Sequence, residues 1–102
     1  MAFKRYITLI DDDNQTKTIA TDTTGLIFNI VVQNNHNPAD TAQPELDFYF
    51  ITSDGTEIHF LKKKLEANEY FQIKPEIALS AETLKVYSTL KDVTIITQIL
   101  DN

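Results

Sequence analysis

LEANEYFQIKPEIALSAETLKVYST, residues 65–89, decides how this chain folds. Residues 70–74 alternate in the manner of a half-buried strand, and Pro75 then opens a connection over residues 75–79. Ser80 to Thr83 are polar and predict a turn. Residues 84–88 form a second short strand. Two strands joined by proline and polar punctuation are a way of closing a small β-sandwich, and no side chain in the stretch is placed as a catalyst.

The rest of the chain repeats this rhythm. Residues 3–10 are rich in β-branched and aromatic side chains and predict a strand. Asp11-Asp12-Asp13-Asn14 ends it, because such side chains bond their own backbone in turns. Residues 15–21 are a Thr-rich strand suited to an edge or an exposed face. The two strands read as a hairpin, so residues 1–24 are expected to form an N-terminal hairpin or arm. Asp22-Thr23-Thr24-Gly25 is the next turn. Residues 26–33, LIFNIVVQ, are the most apolar run and belong in the middle of a sheet. Residues 45–53 and 57–64 flank Asp54-Gly55, a strong hairpin signal. Lys91-Asp92 makes a last turn before residues 93–100, where Val93, Ile95, Thr97 and Ile99 share one face and Ile96 and Leu100 the other.

About eight short strands without helical periodicity predict an all-β fold, an antiparallel β-sandwich of jelly-roll or Ig-like type, as a single domain over residues 1–102. Its core is expected from Phe28, Ile30, Val32, Phe48, Phe50, Ile58, Phe60, Phe71, Ile73, Leu84, Val86, Val93 and Ile95. Each contributes roughly 1.5–3 kcal/mol on burial before entropy is counted. Several strands also carry large apolar groups on their second face. Ile27, Val31, Tyr49, Ile51, Ile96 and Leu100 are this surplus, which points to a face covered by another subunit and to a homo-oligomer. The competing reading is scattered apolar exposure of an ordinary kind.

Composition narrows the function. The chain has 102 residues, no cysteine and a formal net charge of −6. One domain fits this length. A disulfide framework is excluded, and a reducing compartment fits. The acidic balance opposes binding to nucleic-acid phosphates and to anionic membrane surfaces. No apolar run is long enough to span a membrane as a helix, and the broken N-terminal pattern is not a secretory signal.

No catalytic constellation emerges. Asp11, Asp13 and Gln15 imitate the first positions of a calcium loop, but Thr16 stands where the sharp turn needs Gly and Asp22 where Glu belongs. His36 and His59 lie in no metal-ligand spacing. There is no nucleophile elbow and no phosphate-cradling glycine loop. No cofactor and no metal are expected. The longest unpatterned stretch is residues 34–44, NNHNPADTAQP. It is either a crossing between two sheets or a binding loop, with Asn34, Asn35, His36, Asn37 and Asp40 as its polar groups.

Residues 26–100 resemble a recurrent small β-sandwich of tailed-phage virions, found among decoration, neck, tail and fibre-associated proteins. The pattern has an apolar strand ending in Asn, here LIFNIVVQN. A strand-turn-strand follows, here LDFYFITSDGTEIHFL. The later steps are Ala67-Asn68-Glu69-Tyr70-Phe71 and Ile77-Ala78-Leu79-Ser80-Ala81-Glu82-Thr83-Leu84-Lys85-Val86. Such proteins usually carry Gly at both steps, where this chain has Ala67-Asn68 and Ser80 to Thr83. The resemblance implies a non-enzymatic virion structural protein that binds neighbouring capsid or tail subunits. A capsid decoration or cement protein is the narrower expectation, with a tail or neck component next. The alternative is a β-sandwich module that binds carbohydrate or a host protein through residues 34–44 and exposed tyrosines.

Overall fold

The computed structural model describes residues 2–37, 39–67 and 69–101. Seven strands account for nearly all of it: β1 (Ala2–Ile10), β2 (Gln15–Asn34), β3 (Glu45–Ile51), β4 (Glu57–Lys64), β5 (Tyr70–Ile73), β6 (Ile77–Ser88) and β7 (Val93–Asp101). All pairings are antiparallel. Among the described residues no helix is long and apolar enough to cross a membrane.

Two of the expected turns lie inside strands. The eight short strands become seven because β2 runs through residues 22–25, and β6 is lengthened because it runs through residues 80–83. Both strands bend there, side by side. The β2–β6 register shifts between Thr18 and Ala20, between Ala20 and Thr23, and between Thr23 and Gly25. Asp22 and Ala81 take positive φ at the bend, as does Gly25. Bulges of this kind kink a ladder and increase its twist.

The double bend folds one hydrogen-bonded sheet into a sandwich. On one side lie β1, β7, the second half of β2, and β5 with the start of β6. On the other lie the first half of β2, the second half of β6, β3 and β4. We call these the front and back sheets. The hairpin expected of residues 3–21 is not formed. β1 pairs with β7 in the front sheet, while residues 15–20 pair with β6 in the back. Residues 11–14 are therefore a crossing between sheets. Residues 34–44 are a second crossing, from β2 in the front to β3 in the back.

Alternation then fills the core. From the front come Ile27, Ile30, Val32, Val93, Ile95 and Ile99, and from the back Leu46, Phe48, Phe50, Leu84 and Val86, in one continuous cluster. Phe60, Phe71 and Ile73 pack against it half-buried. Two expected core residues are elsewhere. Phe28 is the extra residue where the β2–β7 register shifts between Ile27 and Asn29, and it turns outward. Ile58 is exposed. Leu65 and Leu79, read as connection residues, are buried in the core.

Candidate interaction surface

The outer face of the front sheet follows from the register. Each outward residue of β1 lies opposite one of β7: Phe3 with Leu100, Arg5 with Gln98, Ile7 with Ile96 and Leu9 with Thr94. β7 in turn faces β2, where Leu100 meets Leu26, Gln98 meets Asn29, Ile96 meets Val31 and Thr94 meets Gln33. β5 closes the row with Gln72 beside Val31 and Tyr70 beside Gln33. Two apolar bands result, Phe3–Leu100–Leu26 and Ile7–Ile96–Val31. Phe28 joins the first, its ring 5.1 Å from that of Phe3, with the Lys74 ammonium 5.5 Å from its ring centroid. Between the bands runs an amide ladder. Asn29 donates to Gln98 at 3.2 Å and accepts from Gln72 at 2.9 Å.

β1 is inverted with respect to solubility. Its inward row is Lys4, Tyr6, Thr8 and Ile10, opposite the inward residues of β7. Its outward row is the more apolar one. Phe3, Ile7 and Leu9 are 54%, 58% and 58% exposed. A one-residue shift of register would reverse the rows, so the pairing with β7 holds the apolar row outside against its transfer preference. No outward position of β1, β5, β7 or the second half of β2 carries a carboxylate, in a chain with 15 Asp and Glu.

The surplus apolar residues expected to share one face divide among three places. Val31, Ile96 and Leu100 lie together on the front face, half-buried. Ile27 is fully buried in the core, because the register sets it opposite Ile99 on the inner side. Tyr49 and Ile51 belong to the back sheet. Tyr49 is buried beneath His59, the rings stacked 4.7 Å apart. Sequence reasoning missed Phe3, Ile7 and Leu9. Their odd-numbered spacing was visible, but nothing local to the strand says which row faces outward.

The back face is polar. His59 sits between two carboxylates, its Nδ1 2.9 Å from Asp47 Oδ1 and its Nε2 3.2 Å from Glu57 Oε1. Hydrogen bonding to Asp47, with a further contribution from Glu57, raises the His59 pKa above its ordinary value. Burial pushes the Tyr49 hydroxyl up, helped by the charges of Glu57 and Asp47. The carboxylates bind opposite edges of the imidazole, so the three groups do not converge on a point. No cluster of three metal-ligating side chains is present among the described residues.

In the 34–44 crossing Asn34 is buried and His36 half-buried, while Asn35, Asn37 and Asp40 are exposed but hydrogen-bonded. Asn34 donates to the carbonyls of Ala42 at 3.3 Å and Glu66 at 3.0 Å, while its Oδ1 accepts from His36 N–H. Asn35 donates to Thr94 at 2.6 Å, and His36 Nε2 lies 2.7 Å from the Lys91 carbonyl. Asn37 and Asp40 cap the amides of Ala39 and Ala42. Asn34, Asn35 and His36 tie the crossing to the β4–β5 connection, to β7 and to the β6–β7 turn, while Asn37 and Asp40 bond within the crossing. Of Tyr49, Tyr70 and Tyr87, which the carbohydrate-binding alternative needs exposed, Tyr49 is buried and Tyr87 donates to Asn14 at 2.8 Å. Tyr70 alone of the three is largely exposed.

No family model and no curated protein matches the chain. Among solved structures it is similar to part of the structure of infectious bursal disease virus Gt strain. The TM-score is 0.36 and the identity 11%, over 98% of this chain and 31% of that one. The chain thus spans about a third of the length of that match.

Proposed function

We propose that this chain is a non-enzymatic virion structural protein of the tailed-phage type, which binds neighbouring virion subunits through the outer face of its front sheet. One observation carries the reading: β1 holds its more apolar row in solvent, contiguous with Val31, Ile96 and Leu100. Contiguous apolar surface of this kind marks an interaction site. β1, β7 and the second half of β2, with the four residues of β5 beside them, lie about 4.8 Å apart and present roughly 500 Å². With a complementary partner the total buried area reaches about 1,000 Å², the lower bound for a specific interface. The face carries no carboxylate, and its charges are the cations Arg5 and Lys74, which a partner that buries it has to pair.

The hydrophobic and turn pattern of residues 26–100, which resembles small virion sandwiches, supplies the biological setting. Its finer form is a capsid decoration or cement protein, with a tail or neck component as the next choice. The residues of the second step, Ser80 to Thr83, are accommodated by the β6 bend in place of the usual glycine turn. At the first step, Asn68 lies outside the described residues. A carbohydrate-binding role finds little support, because the crossing's polar groups are spent internally.

Gradient-purified particles from the source of this chain provide the test. The chain is expected in the particle fraction, and the double variant Ile7→Lys/Ile96→Lys is expected to leave that fraction while keeping its melting temperature. A wild-type chain absent from the particles would falsify the virion role.

A further inference from the structure

We propose that β1 is a homodimerisation edge: its free side pairs antiparallel with β1 of a second copy, about a two-fold axis at Tyr6. The inference deepens the interface reading above and rests on it.

The sheet order begins at β1 and ends at β4, so among the described residues these strands have one unpaired side each. Open edges attract other strands, and proteins ordinarily blunt them with charge, proline or bulges. β4 is blunted. It carries Glu57, His59 and Lys62 to Lys64, and its register with β3 shifts between Phe48 and Tyr49. β1 is less protected: its charges, Lys4 and Arg5, are confined to its first half, and it holds register with β7 through nine consecutive pairs, with no proline and no positive φ. Phe3, Ile7 and Leu9 each lack a lateral neighbour on that side, which is why they are more exposed than the outward residues of β7.

The sequence of β1 is self-complementary when reversed about Tyr6. Phe3 then lies opposite Leu9 of the second copy, and the aliphatic stem of Arg5 lies along Ile7. All nine residues pair. Shifting the axis by one residue toward the N-terminus sets Arg5 against Arg5. Shifting it the other way sets Phe3 against Asp11 and leaves residues unpaired. A nine-residue antiparallel ladder exchanges about eight to ten hydrogen bonds. That is close to the roughly ten of a specific interface. The pairing joins two apolar faces into one, so a virion partner meets a surface of twice the width.

The chain has no cysteine, so introduced thiols report the register directly. Phe3→Cys and Leu9→Cys replace exposed side chains, and paired positions across such a ladder lie about 4.5–5.5 Å apart at Cα, within disulfide reach. Wild-type protein is expected to sediment as a dimer. Mild oxidation of a mixture of the two variants is expected to give a covalent dimer far faster than either variant alone. A wild-type monomer at the highest soluble concentration overturns the proposal. So does a dimer that cross-links no faster in the mixture, which places the contact elsewhere and leaves the outer-face reading intact. Cross-linking as expected, in a chain absent from purified particles, keeps the dimer and removes the virion role.

Discussion

Thr24 and Thr83 exchange roles across the bend. The Thr24 hydroxyl accepts the Ala81 amide of β6 at 2.9 Å, and the Thr83 hydroxyl accepts the Asp22 amide of β2 at 3.3 Å. Each strand therefore supplies the partner for an amide that the other strand's kink has released from the ladder. The Ser80 amide is met within its own strand by Glu82, at 2.9 Å. A double kink in neighbouring strands is tolerable because its unpaired donors are satisfied locally.

Thr24→Val and Thr83→Val are each expected to lower stability by about 1 kcal/mol, the net worth of an ordinary hydrogen bond. Ala81 sits at φ 55°, where a Cβ is strained, so Ala81→Gly is expected to be neutral or stabilising by a few tenths of a kcal/mol. Urea midpoints at constant m-value measure all three. A Thr24→Val midpoint equal to wild type would show that water replaces the hydroxyl at no cost.

Gly25 ends the bend where β2 re-enters the front sheet. Its φ is +153°, and an added Cβ would lie 2.6 Å from the Leu100 carbonyl oxygen and 3.0 Å from Ile99 Cγ2. The obstacle is backbone, so it does not yield as a side chain does. Gly25→Ala is expected to cost at least about 2 kcal/mol. Gly55, in the β3–β4 turn, has open space around its Cα, so Gly55→Ala is expected to cost only the strain of its φ of +87°. The comparison of the two variants by thermal melting separates collision from backbone strain.

The strands were legible in sequence; their continuity was not. Asp-Thr-Thr-Gly carries the polar, left-handed-tolerant residues that a turn needs, and Ser-Ala-Glu-Thr is polar in the same way. A bulged bend needs the same residues, because it too releases amides and demands positive φ. Only the partner strand distinguishes them, and that partner is some sixty residues away. The same non-locality hid the interface. Residues 3–10 alternate visibly, but pairing with β7 decides that Phe3, Ile7 and Leu9 face outward and Thr8 and Ile10 inward. The faces of residues 93–100 are legible because their inner row is apolar enough to have one solution. The long crossing at residues 34–44 looked free because hydrogen bonds such as Asn34 to Glu66 cannot be read from spacing.

Thr97 is fully buried on the inner row of β7, between Tyr6 and Ile30, and its hydroxyl has no partner among the described residues. An unpaired buried hydroxyl costs about 1–3 kcal/mol of desolvation. Thr97→Val keeps the shape and β-branching and removes that cost, so it is expected to stabilise by about 1 kcal/mol. The corresponding rise in Tm is about 4–8 °C for a domain of this size. Calorimetry checks it, and a lower Tm would indicate that the hydroxyl has found a bonded water.

His59 gives the fold a pH dependence of known sign. A neutral imidazole donates through one nitrogen only, yet both nitrogens face carboxylate oxygens, Asp47 on one edge and Glu57 on the other. The protonated ring satisfies both, which is the reason its pKa stands above the ordinary 6.5. Because the folded value is raised, the native state binds the proton more tightly than the unfolded chain does. The contribution to stability is complete below about pH 6.5 and is lost as pH rises through the folded value. Asp11, Asp54 and Glu69 have lowered values and so lose their contributions only on the acid side, below this window. Urea midpoints are therefore expected to fall from pH 6 to pH 8. His59→Gln is expected to flatten that slope while leaving the stack on Tyr49 partly filled. An unchanged slope in the variant would assign the titration to another group.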